Sequence, residues 1–396
     1  MENFFDKQAY QIETGIPIFK QIVLLKIQSN DVVRCHLKLE NTQISLYDYC
    51  KEELILNTIN IANSYLEFTL HVCMGRGVYI KQSSKQLQIF GLTPQLIQIL
   101  KLYGIQKDFA TQYTVIKEIG RGSFGKVYQV KNVQNNQLYA VKMFEKQLLL
   151  DTKYRQAIRK EIQILRLMDH PNVLSIVECF ESEQCIFLVE ELLDSHLQIG
   201  VDCILKEEKA ILILIKVLKG LEYIHSKNIL HRDIKPNNIL LRSNGEPVIS
   251  DFGFADFYRL DGNYLFLKCG TNGYLAPEMI TTQNYNYKVD IYSLGVVFRQ
   301  LLTGCASNLF DISTLSNDCQ KLIQGMLCSN PNNRLSINEI RQNNLIRRIL
   351  RRSQILKAMS NISEKAKCCF INDQKNDVET KSFSIYQSQI PSLKSL

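Results

Sequence analysis

The stretch His231-Arg-Asp-Ile-Lys-Pro-Asn-Asn238, followed by Asp251-Phe-Gly253, decides how this chain is interpreted. Four further elements flank these two stretches in a fixed order: Gly120-Arg-Gly-Ser-Phe-Gly-Lys-Val127, Ala140-Val-Lys142, Glu161 and Ala276-Pro-Glu278. A glycine-rich loop alone is weak evidence for any function. Six such elements in one order, at workable spacings, predict a single site that binds a highly charged phosphate ligand.

The first half of this set has the residue types that a triphosphate needs. Glycines at positions 120, 122 and 125 let a hairpin lie over phosphates and offer backbone N–H groups without a side-chain clash. Lys142 follows the apolar segment 138–141, which predicts a strand. Glu161 lies in the run 157–168, whose apolar residues recur at helical spacing, and this predicts a helix with one buried face.

Residues from about Tyr113 to about Asn344 resemble a eukaryotic protein kinase catalytic domain. The resemblance implies ATP and Mg²⁺ as cofactors. It implies that Asp233 is the catalytic carboxylate for the substrate hydroxyl, and that Asn238 and Asp251 hold magnesium. The resemblance also implies residues that bind the nucleotide, with the lysine paired to Glu161: Ile119, Gly120, Gly122, Gly125, Val127, Ala140, Lys142, Glu191, Leu193 and Leu240.

Two residues indicate the class of substrate. Lys235 follows the catalytic aspartate by two positions, where the family places the lysine that accompanies serine/threonine specificity. Thr271, in Cys269-Gly-Thr-Asn-Gly-Tyr, matches the threonine that such kinases place beside the catalytic aspartate. Within the family, the Cys-Gly-Thr motif and the hinge segment are most similar to the calcium/calmodulin-dependent group. The predicted activity is phosphoryl transfer to protein serine or threonine.

The hinge segment departs from the family pattern. Alignment of Phe187–Leu193 puts Glu190 at the gatekeeper position behind adenine, where an ionised carboxylate is costly unless it is paired. Glu190 competes with Glu161 for Lys142, or it is protonated, or the alignment is off by one residue. Asp194-Ser-His-Leu197 also lacks the usual ribose-binding acid. The alternative function is therefore a kinase-fold scaffold with weak or no catalysis, but the intact catalytic set favours an active enzyme.

The predicted activation loop has no serine or threonine between Asp251 and Cys269; its hydroxyl side chains are Tyr258 and Tyr264. In the family, the arginine at position 232 normally receives an activation-loop phosphate. We expect a loop that does not depend on serine or threonine phosphorylation. An acid such as Asp261, or a tyrosine phosphate, would order it instead.

The first 108 residues predict a separate, mostly-β domain. Alternating apolar residues and turn signals predict strands at 23–27, 32–39, 43–47, 65–72, 78–82 and 87–90. Thr93 and Pro94 open a predicted helix that runs through Leu102. This element order resembles a pleckstrin-homology-like domain. The resemblance implies a phosphoinositide or a protein partner, and the other alternative is simple packing on the kinase domain.

The predicted fold class is thus α+β: a bilobal protein kinase fold (113–344) preceded by a small mostly-β domain with a C-terminal helix (1–108) and followed by a basic helix and disordered tail (345–396). Residues 341–396 hold 11 Lys and Arg against 4 Asp and Glu, most of the net charge of +8. We therefore expect no nucleic-acid partner for the folded body. The basic amphipathic segment 340–359 fits a calmodulin-like partner or an acidic membrane, or it is the last kinase helix running on.

The cysteines indicate the compartment. The 12 cysteines show no C-x-x-C spacing, and the N-terminus has no signal-peptide pattern. Reduced thiols in the cytoplasm are the prediction, with peripheral membrane attachment and the nucleus as alternatives.

Overall fold

The structure, a computed structural model, describes residues 18–27, 31–51, 53–83, 85–122, 124–266, 268–281, 284–305 and 312–355. These residues belong to two compact units, one that ends at Asn343 and one that begins at Asn344.

The first unit opens with seven antiparallel strands and one helix. The strands are β1 Phe19–Lys26, β2 Val32–Glu40, β3 Gln43–Asp48, β4 Ile55–Asn60, β5 Tyr65–His71, β6 Gly75–Gln82 and β7 Lys85–Phe90. Cys35, Leu37 and Leu39 of β2 are buried and alternate with more exposed residues, as expected for a strand with one face on a core. Helix α1 (Pro94–Tyr103) adds Leu96 and Leu100 to the same core.

The sequence predicted this region well except for one strand. The side-chain oxygen of Thr93 accepts from the Leu96 N–H, and Pro94 opens the helix, as predicted. The predictions omitted β4, which pairs only with β3 and forms one edge of the sheet. Leu54 and Ile55 there are about half exposed, so the segment lacks the buried alternation by which strands are recognised in a sequence.

The segment after α1 is a strand rather than a simple linker. Strand β8 (Ile105–Gln106) pairs in parallel with β5 on one side, and Gln106 pairs with Phe180 on the other. A short helix, α2 (Phe109–Gln112), follows. The N-terminal strands and the next group of strands therefore form one 13-stranded sheet, whose first part has the order β4-β3-β2-β1-β7-β6-β5-β8.

The strands on the far side of β8 form the small lobe of the catalytic region. They are β9 Tyr113–Arg121, β10 Lys126–Asn132, β11 Leu138–Glu145, β12 Ile176–Glu181 and β13 Cys185–Glu191. Helix α3 (Thr152–Leu165) buries Ile158, Ile162 and Leu165, so the predicted amphipathic helix is confirmed, with a start five residues earlier than the run 157–168. A 3-10 turn, Lys146–Leu150, connects β11 to α3.

The large lobe is mostly helical. Its helices are α4 Glu207–Ser226, α5 Pro277–Thr281, α6 Lys288–Thr303, α7 Asn317–Met326 and α8 Ile337–Gln342. Its short strands are β14 Ser195–His196, β15 Ile229–Leu230, β16 Ile239–Leu241, β17 Pro247–Ile249 and β18 Asp256–Phe257. Helices α4 and α6 carry long runs of buried residues and form the centre of this lobe.

The second unit is described from residue 344 to residue 355, all of them helical. Leu345, Ile346 and Ile349 are buried, whereas the four arginines at 347, 348, 351 and 352 are exposed. The predicted basic amphipathic helix is present in this stretch, after a break at Asn343. The predicted disordered tail lies outside the described residues. Across the described ranges, we find no helix with the length and apolar character to cross a bilayer.

Candidate active site

Four predicted site residues form a closed hydrogen-bonded network around the carboxylate of Asp233. The Thr271 hydroxyl donates to Asp233 Oδ1 at 2.7 Å, and the Asn238 amide donates to Asp233 Oδ2 at 3.0 Å. Lys235 Nζ lies 2.8 Å from Asp233 Oδ2 and donates to Thr271 Oγ1 at 2.8 Å. Asp233 is 2% exposed, so a cation and two neutral donors compensate a buried negative charge.

The loop that carries Asp233 is fixed from below by Asp290 of helix α6. Both oxygens of Asp290 accept backbone N–H groups, from His231 at 3.0 Å and from Arg232 at 2.8 Å. Burial by itself would raise the pKa of Asp290, but hydrogen bonds from His225 and the loop backbone hold that pKa below its ordinary value. An ionised carboxylate is the better acceptor, which lets the loop keep Arg232 at a left-handed φ of 66°. Asp290 therefore anchors the catalytic loop.

Lys142, Glu161 and Asp251 meet at the back of the cleft between the lobes. Lys142 Nζ lies 2.5 Å from Glu161 Oε1 and 2.8 Å from Asp251 Oδ1. Burial would lower the pKa of Lys142, but the two carboxylates outweigh burial and hold it above its ordinary value. The lysine is therefore a fixed cation, and strand β11 and helix α3 are tied together through it.

A cavity of about 920 Å³ runs from the glycine-rich hairpin to these charged groups. It brings together most of the predicted nucleotide and metal residues: Ile119, Gly120, Gly122, Val127, Ala140, Lys142, Glu161, Glu191, Leu193, Leu240, Asn238 and Asp251. Lys235 also lines it, whereas Gly125, Asp233 and Thr271 do not. A cavity of this size, with apolar walls and a cation at its back, has room for a nucleotide.

Gly125 has a structural role at the turn of the hairpin. A Cβ on Gly125 would come within 2.3 Å of the carbonyl oxygen of Met143, so only glycine allows the hairpin to lie this close to β11. Phe124 beside it packs on Tyr154, Phe254 and Phe266, with ring centroids 5.5 to 5.9 Å apart. The hairpin tip is thus bound to helix α3 and to the activation segment, a contact that the sequence had not indicated.

Glu190 lines the cavity and is 8% exposed. It lies on β13 directly opposite Ala140 of β11. Burial, together with the like charges of Glu161 and Asp251, raises the pKa of Glu190 to about 8, against the lowering effect of Lys142. The carboxyl is therefore mainly protonated at neutral pH, the second of the three arrangements that the sequence left open.

Buried side chains around Arg232 hold the described part of the activation segment in place. Arg232 is 2% exposed, and its guanidinium donates to the backbone oxygens of Phe254 at 2.7 Å and Phe266 at 3.1 Å and to the hydroxyl of Tyr285 at 3.1 Å. Tyr264 is 3% exposed and stacks on Tyr285, with centroids 4.8 Å apart. A kinase acting in trans could not reach the Tyr264 hydroxyl in this arrangement.

The acid beside Arg232 is Asp256, not the Asp261 expected from the sequence. Asp256 is fully buried, and it lies 2.5 Å from Lys160 of helix α3 and 3.7 Å from Arg232. It also accepts the backbone N–H of Leu265 at 3.1 Å. Asp261 instead accepts the N–H of Asn263 within its own turn. The sequence gives no sign of this role for Asp256, because Lys160 and Arg232 are distant from it along the chain and approach it only in the folded structure.

A buried ion pair lies at the base of the large lobe. Arg334 donates to both oxygens of Glu278, at 2.6 and 2.8 Å, and is 1% exposed. Its Nε donates to the backbone oxygen of Cys328. This bidentate pair fixes the segment that follows Thr271 onto the helical lobe.

Comparison with known proteins agrees with this geometry. The family model described as "Protein kinase domain" matches residues 113–346. The chain is 33% identical to the serine/threonine-protein kinase fused of Drosophila melanogaster, over 57% of this chain and 30% of that protein. It is 33% identical to CBL-interacting protein kinase 10 of Oryza sativa (58% and 55%) and 34% identical to the probable serine/threonine-protein kinase MARK-A of Dictyostelium discoideum (58% and 23%).

The match covers more than half of the chain, and the two lobes, the cleft and the catalytic loop are those of this class of phosphotransferase. The chain belongs to the protein kinase family, and its predicted α+β fold with a β-rich region ahead of the kinase domain is confirmed. The chain spans about half the length or less of the three relatives named above.

Proposed function

We propose that this protein transfers the γ-phosphate of ATP to serine and threonine hydroxyls of protein substrates. The observation that carries the proposal is the network of Asp233, Lys235, Thr271 and Asn238. Two of its members, Lys235 and Asn238, also line the nucleotide-sized cavity that contains Lys142. A carboxylate, a cation and a phosphate-binding cleft thus share one site, as phosphoryl transfer requires.

In this proposal each side chain has one task. Asp233 orients the substrate hydroxyl and accepts its proton, and Thr271 keeps the carboxylate in place through its 2.7 Å hydrogen bond. Lys235 lies where its positive charge can offset the negative charge of the transferred phosphate. Lys142 binds the phosphates nearer to the nucleoside, held by Glu161 so that it loses little freedom when ATP enters.

Asn238 and Asp251 fit a magnesium site. Both line the cavity, and carboxylate and amide oxygens are the ligands that this hard cation prefers. When bound, magnesium supplies positive charge that neutralises the phosphate oxygens. Asp251 has a left-handed φ of 59°, and its contact with Lys142 keeps its carboxylate in the cavity.

The scaffold alternative depends on Glu190. A permanently ionised gatekeeper carboxylate would compete with ATP for Lys142, but the raised pKa of Glu190 makes it neutral under ordinary conditions. Lys142 also keeps its contact with Glu161 despite Glu190 nearby. The relatives are named as serine/threonine kinases, and a catalytically inert scaffold is not favoured.

The test is transfer of labelled phosphate from Mg-ATP to a basic generic protein, with Asp233→Asn beside the unchanged chain. We expect label on serine and threonine that falls at least about 1000-fold in Asp233→Asn, the scale seen when a central catalytic group is lost. Asp202→Asn, an exposed acid in the 3-10 turn Val201–Cys203, is the matched control and keeps full activity. Equal labelling by all three proteins would refute the assignment of Asp233.

For the N-terminal region, the element order supports a pleckstrin-homology-like domain over residues 1–108, followed by a kinase domain at 113–344 and a basic tail segment at 345–396. Seven strands and a closing helix fit that order. A phosphoinositide or a protein is then its partner. Co-flotation of the full chain with vesicles that contain or lack phosphoinositides tests the lipid. Equal flotation with both vesicle types would exclude a specific headgroup.

A calmodulin-like partner remains the proposal for residues 340–359, in line with the group of kinases that the Cys-Gly-Thr motif resembles. The exposed arginines of helix 344–355 suit an acidic partner, whereas Leu345, Ile346 and Ile349 are buried. A pull-down with and without calcium tests this, and no binding in either condition would remove it. We propose the cytoplasm as the compartment, which fractionation tests.

A further inference from the structure

The C-terminal end of helix α3 is held by the N-terminal region. Arg166 is the C-cap residue of α3 and is 4% exposed. Its Nε donates to the backbone oxygen of Leu102 at 3.1 Å, and one of its terminal nitrogens donates to Asn63 Oδ1 at 2.7 Å. The Tyr103 hydroxyl donates back to the Arg166 carbonyl oxygen at 3.4 Å. These three partners all come from the region before the kinase domain.

The two oxygens that accept from Arg166 are held in place by hydrogen bonds within the N-terminal region. Asn63 has a left-handed φ of 62°, a conformation that asparagine tolerates, and its N–H donates to the Tyr103 carbonyl at 3.1 Å. The Ile105 N–H donates to the Ser64 carbonyl at 2.8 Å. The turn between β4 and β5 is thus hydrogen-bonded to the end of α1. This arrangement fixes the two acceptors of Arg166, Asn63 Oδ1 and the Leu102 carbonyl oxygen, relative to each other.

A second set of contacts fixes the same region to the neighbouring strand β12. Glu178 and Glu181 of β12 are each 6% exposed. Glu178 accepts from Lys101 at 2.9 Å and from the Gln106 amide at 2.7 Å, and Glu181 accepts from the Tyr65 hydroxyl at 2.6 Å. Two buried carboxylates of the small lobe therefore receive hydrogen bonds from the N-terminal region.

The Arg166 contacts matter energetically because burial is nearly complete. Burial lowers the pKa of Arg166, which means that the charged form has lost most of its solvation. The two oxygens from the N-terminal region replace part of that lost solvation. Removing one of them leaves a buried cation with fewer acceptors, which costs more than the hydrogen bond itself contributes.

The position of Arg166 connects this interaction to the active site. Glu161 lies five residues earlier on the same helix, about 7.5 Å along the axis, and is 1% exposed at its 2.5 Å contact with Lys142. A helix transmits a shift of its end to that distance as a nearly rigid body. Misplacement of a positioning group by about 1 Å can cost a large part of the rate.

We propose that Asn63 and Arg166 are positioning residues for phosphoryl transfer: the N-terminal region holds the end of helix α3 so that Glu161 meets Lys142. The region is then part of the catalytic assembly, and not a recognition module tethered beside it. This inference rests on the proposed kinase function.

The test uses Asn63→Gly in the full chain, because glycine accepts the left-handed φ while the side chain and its acceptor oxygen are removed. We expect kcat/KM to fall about 10-fold, which corresponds to about 1.4 kcal/mol. Asn41→Gly is the matched control, an exposed left-handed asparagine in the β2–β3 turn, and it changes kcat/KM less than twofold. Asn63→Asp keeps an acceptor and keeps activity. Equal loss in Asn63→Asp and Asn63→Gly would overturn the assignment.

A double-mutant cycle separates positioning from general stability. In a Glu161→Gln background, Asn63→Gly causes no further loss of kcat/KM if it acts through Glu161. An undiminished 10-fold loss in that background overturns the proposal. If Asn63→Gly is unfolded at the assay temperature by circular dichroism, Arg166→Lys takes its place, since lysine keeps the charge and loses the fork.

Hydrogen–deuterium exchange gives a readout that does not depend on catalysis. We expect amides 158–165 to exchange about 10-fold faster in Asn63→Gly than in Asn41→Gly. Equal exchange of these amides in Asn63→Gly and Asn41→Gly overturns the positioning role, even if the original protein transfers no phosphate. Absence of transfer by the unchanged chain together with faster exchange would instead refute the kinase activity and leave the structural link standing.

Discussion

Glu190 makes the stability of the kinase domain depend on pH in a calculable way. Its pKa in the folded protein is about 8, against an ordinary value of 4.5. Between these two values the unfolded carboxyl is ionised and the folded one is protonated, so folding takes up a proton. The free energy of unfolding therefore falls as pH rises, by about 1.4 kcal/mol per pH unit for one group, and levels off above the folded pKa.

Replacing Glu190 with glutamine removes this proton and keeps the shape of the side chain. Relative to Glu190→Gln, we expect the unchanged chain to lose about 2 kcal/mol of stability between pH 6 and pH 8, or roughly 3 °C in Tm for a cooperative unit of this size. Calorimetry of both proteins without nucleotide at pH 6, 7, 8 and 9 measures this. Glu183→Gln, an exposed acid on the turn before β13, is the control and follows the unchanged chain.

The same ionisation affects nucleotide binding. Above pH 8 the ionised Glu190 adds a negative charge to the cavity that contains Lys142, so KM for ATP rises in the unchanged chain and stays flatter in Glu190→Gln. A difference in Tm between the two proteins that is constant from pH 6 to pH 9 would refute the reasoning. It would mean that Glu190 ionises near its ordinary value and is paired in the folded state.

Three other substitutions test separate parts of the site. Asp256→Asn removes the counter-charge of Lys160 in a site where burial already lowers the pKa of that lysine. We expect the free energy of unfolding to fall by about 3 kcal/mol and kcat to collapse, and an unchanged kcat would contradict this. Arg334→Met removes the two hydrogen bonds that Arg334 donates to the Glu278 carboxylate and lowers Tm by at least about 4 °C in calorimetry, and a shift under 2 °C would speak against the buried pair. Gly125→Ala would place a Cβ 2.3 Å from the carbonyl oxygen of Met143 and so displace the hairpin. We expect KM for ATP to rise about 10-fold, and unchanged ATP binding would contradict this.

The sequence could single out candidate catalytic residues because phosphoryl transfer restricts residue type at each position. Lys142, Glu161 and Asp251 were assigned from motifs alone, and the structure places both carboxylates within 3 Å of the Lys142 amine. Both contacts pass through one shared cation, Lys142. Their roles with bound ATP and magnesium stay predictions for the experiments above.

What the sequence could not supply were contacts between surfaces distant in the chain. Asp256 and Lys160 are ordinary charged residues until α3 folds over the activation segment. Asn63 and Arg166 are more than 100 residues apart, and neither belongs to a motif. The choice among three states for Glu190 also needed three dimensions, because the pKa of a carboxyl depends on how deeply it is buried.

The short strand β8 has a consequence for how the molecule unfolds. It is hydrogen-bonded to β5 on one side and to β12 on the other, so the sheet has no break at the point where the family match begins. Regions joined in this way melt as one cooperative transition rather than one after the other. A fragment cut at residue 113 would expose the edge of β12, with unpaired backbone groups open to other chains, and we expect such a fragment to aggregate.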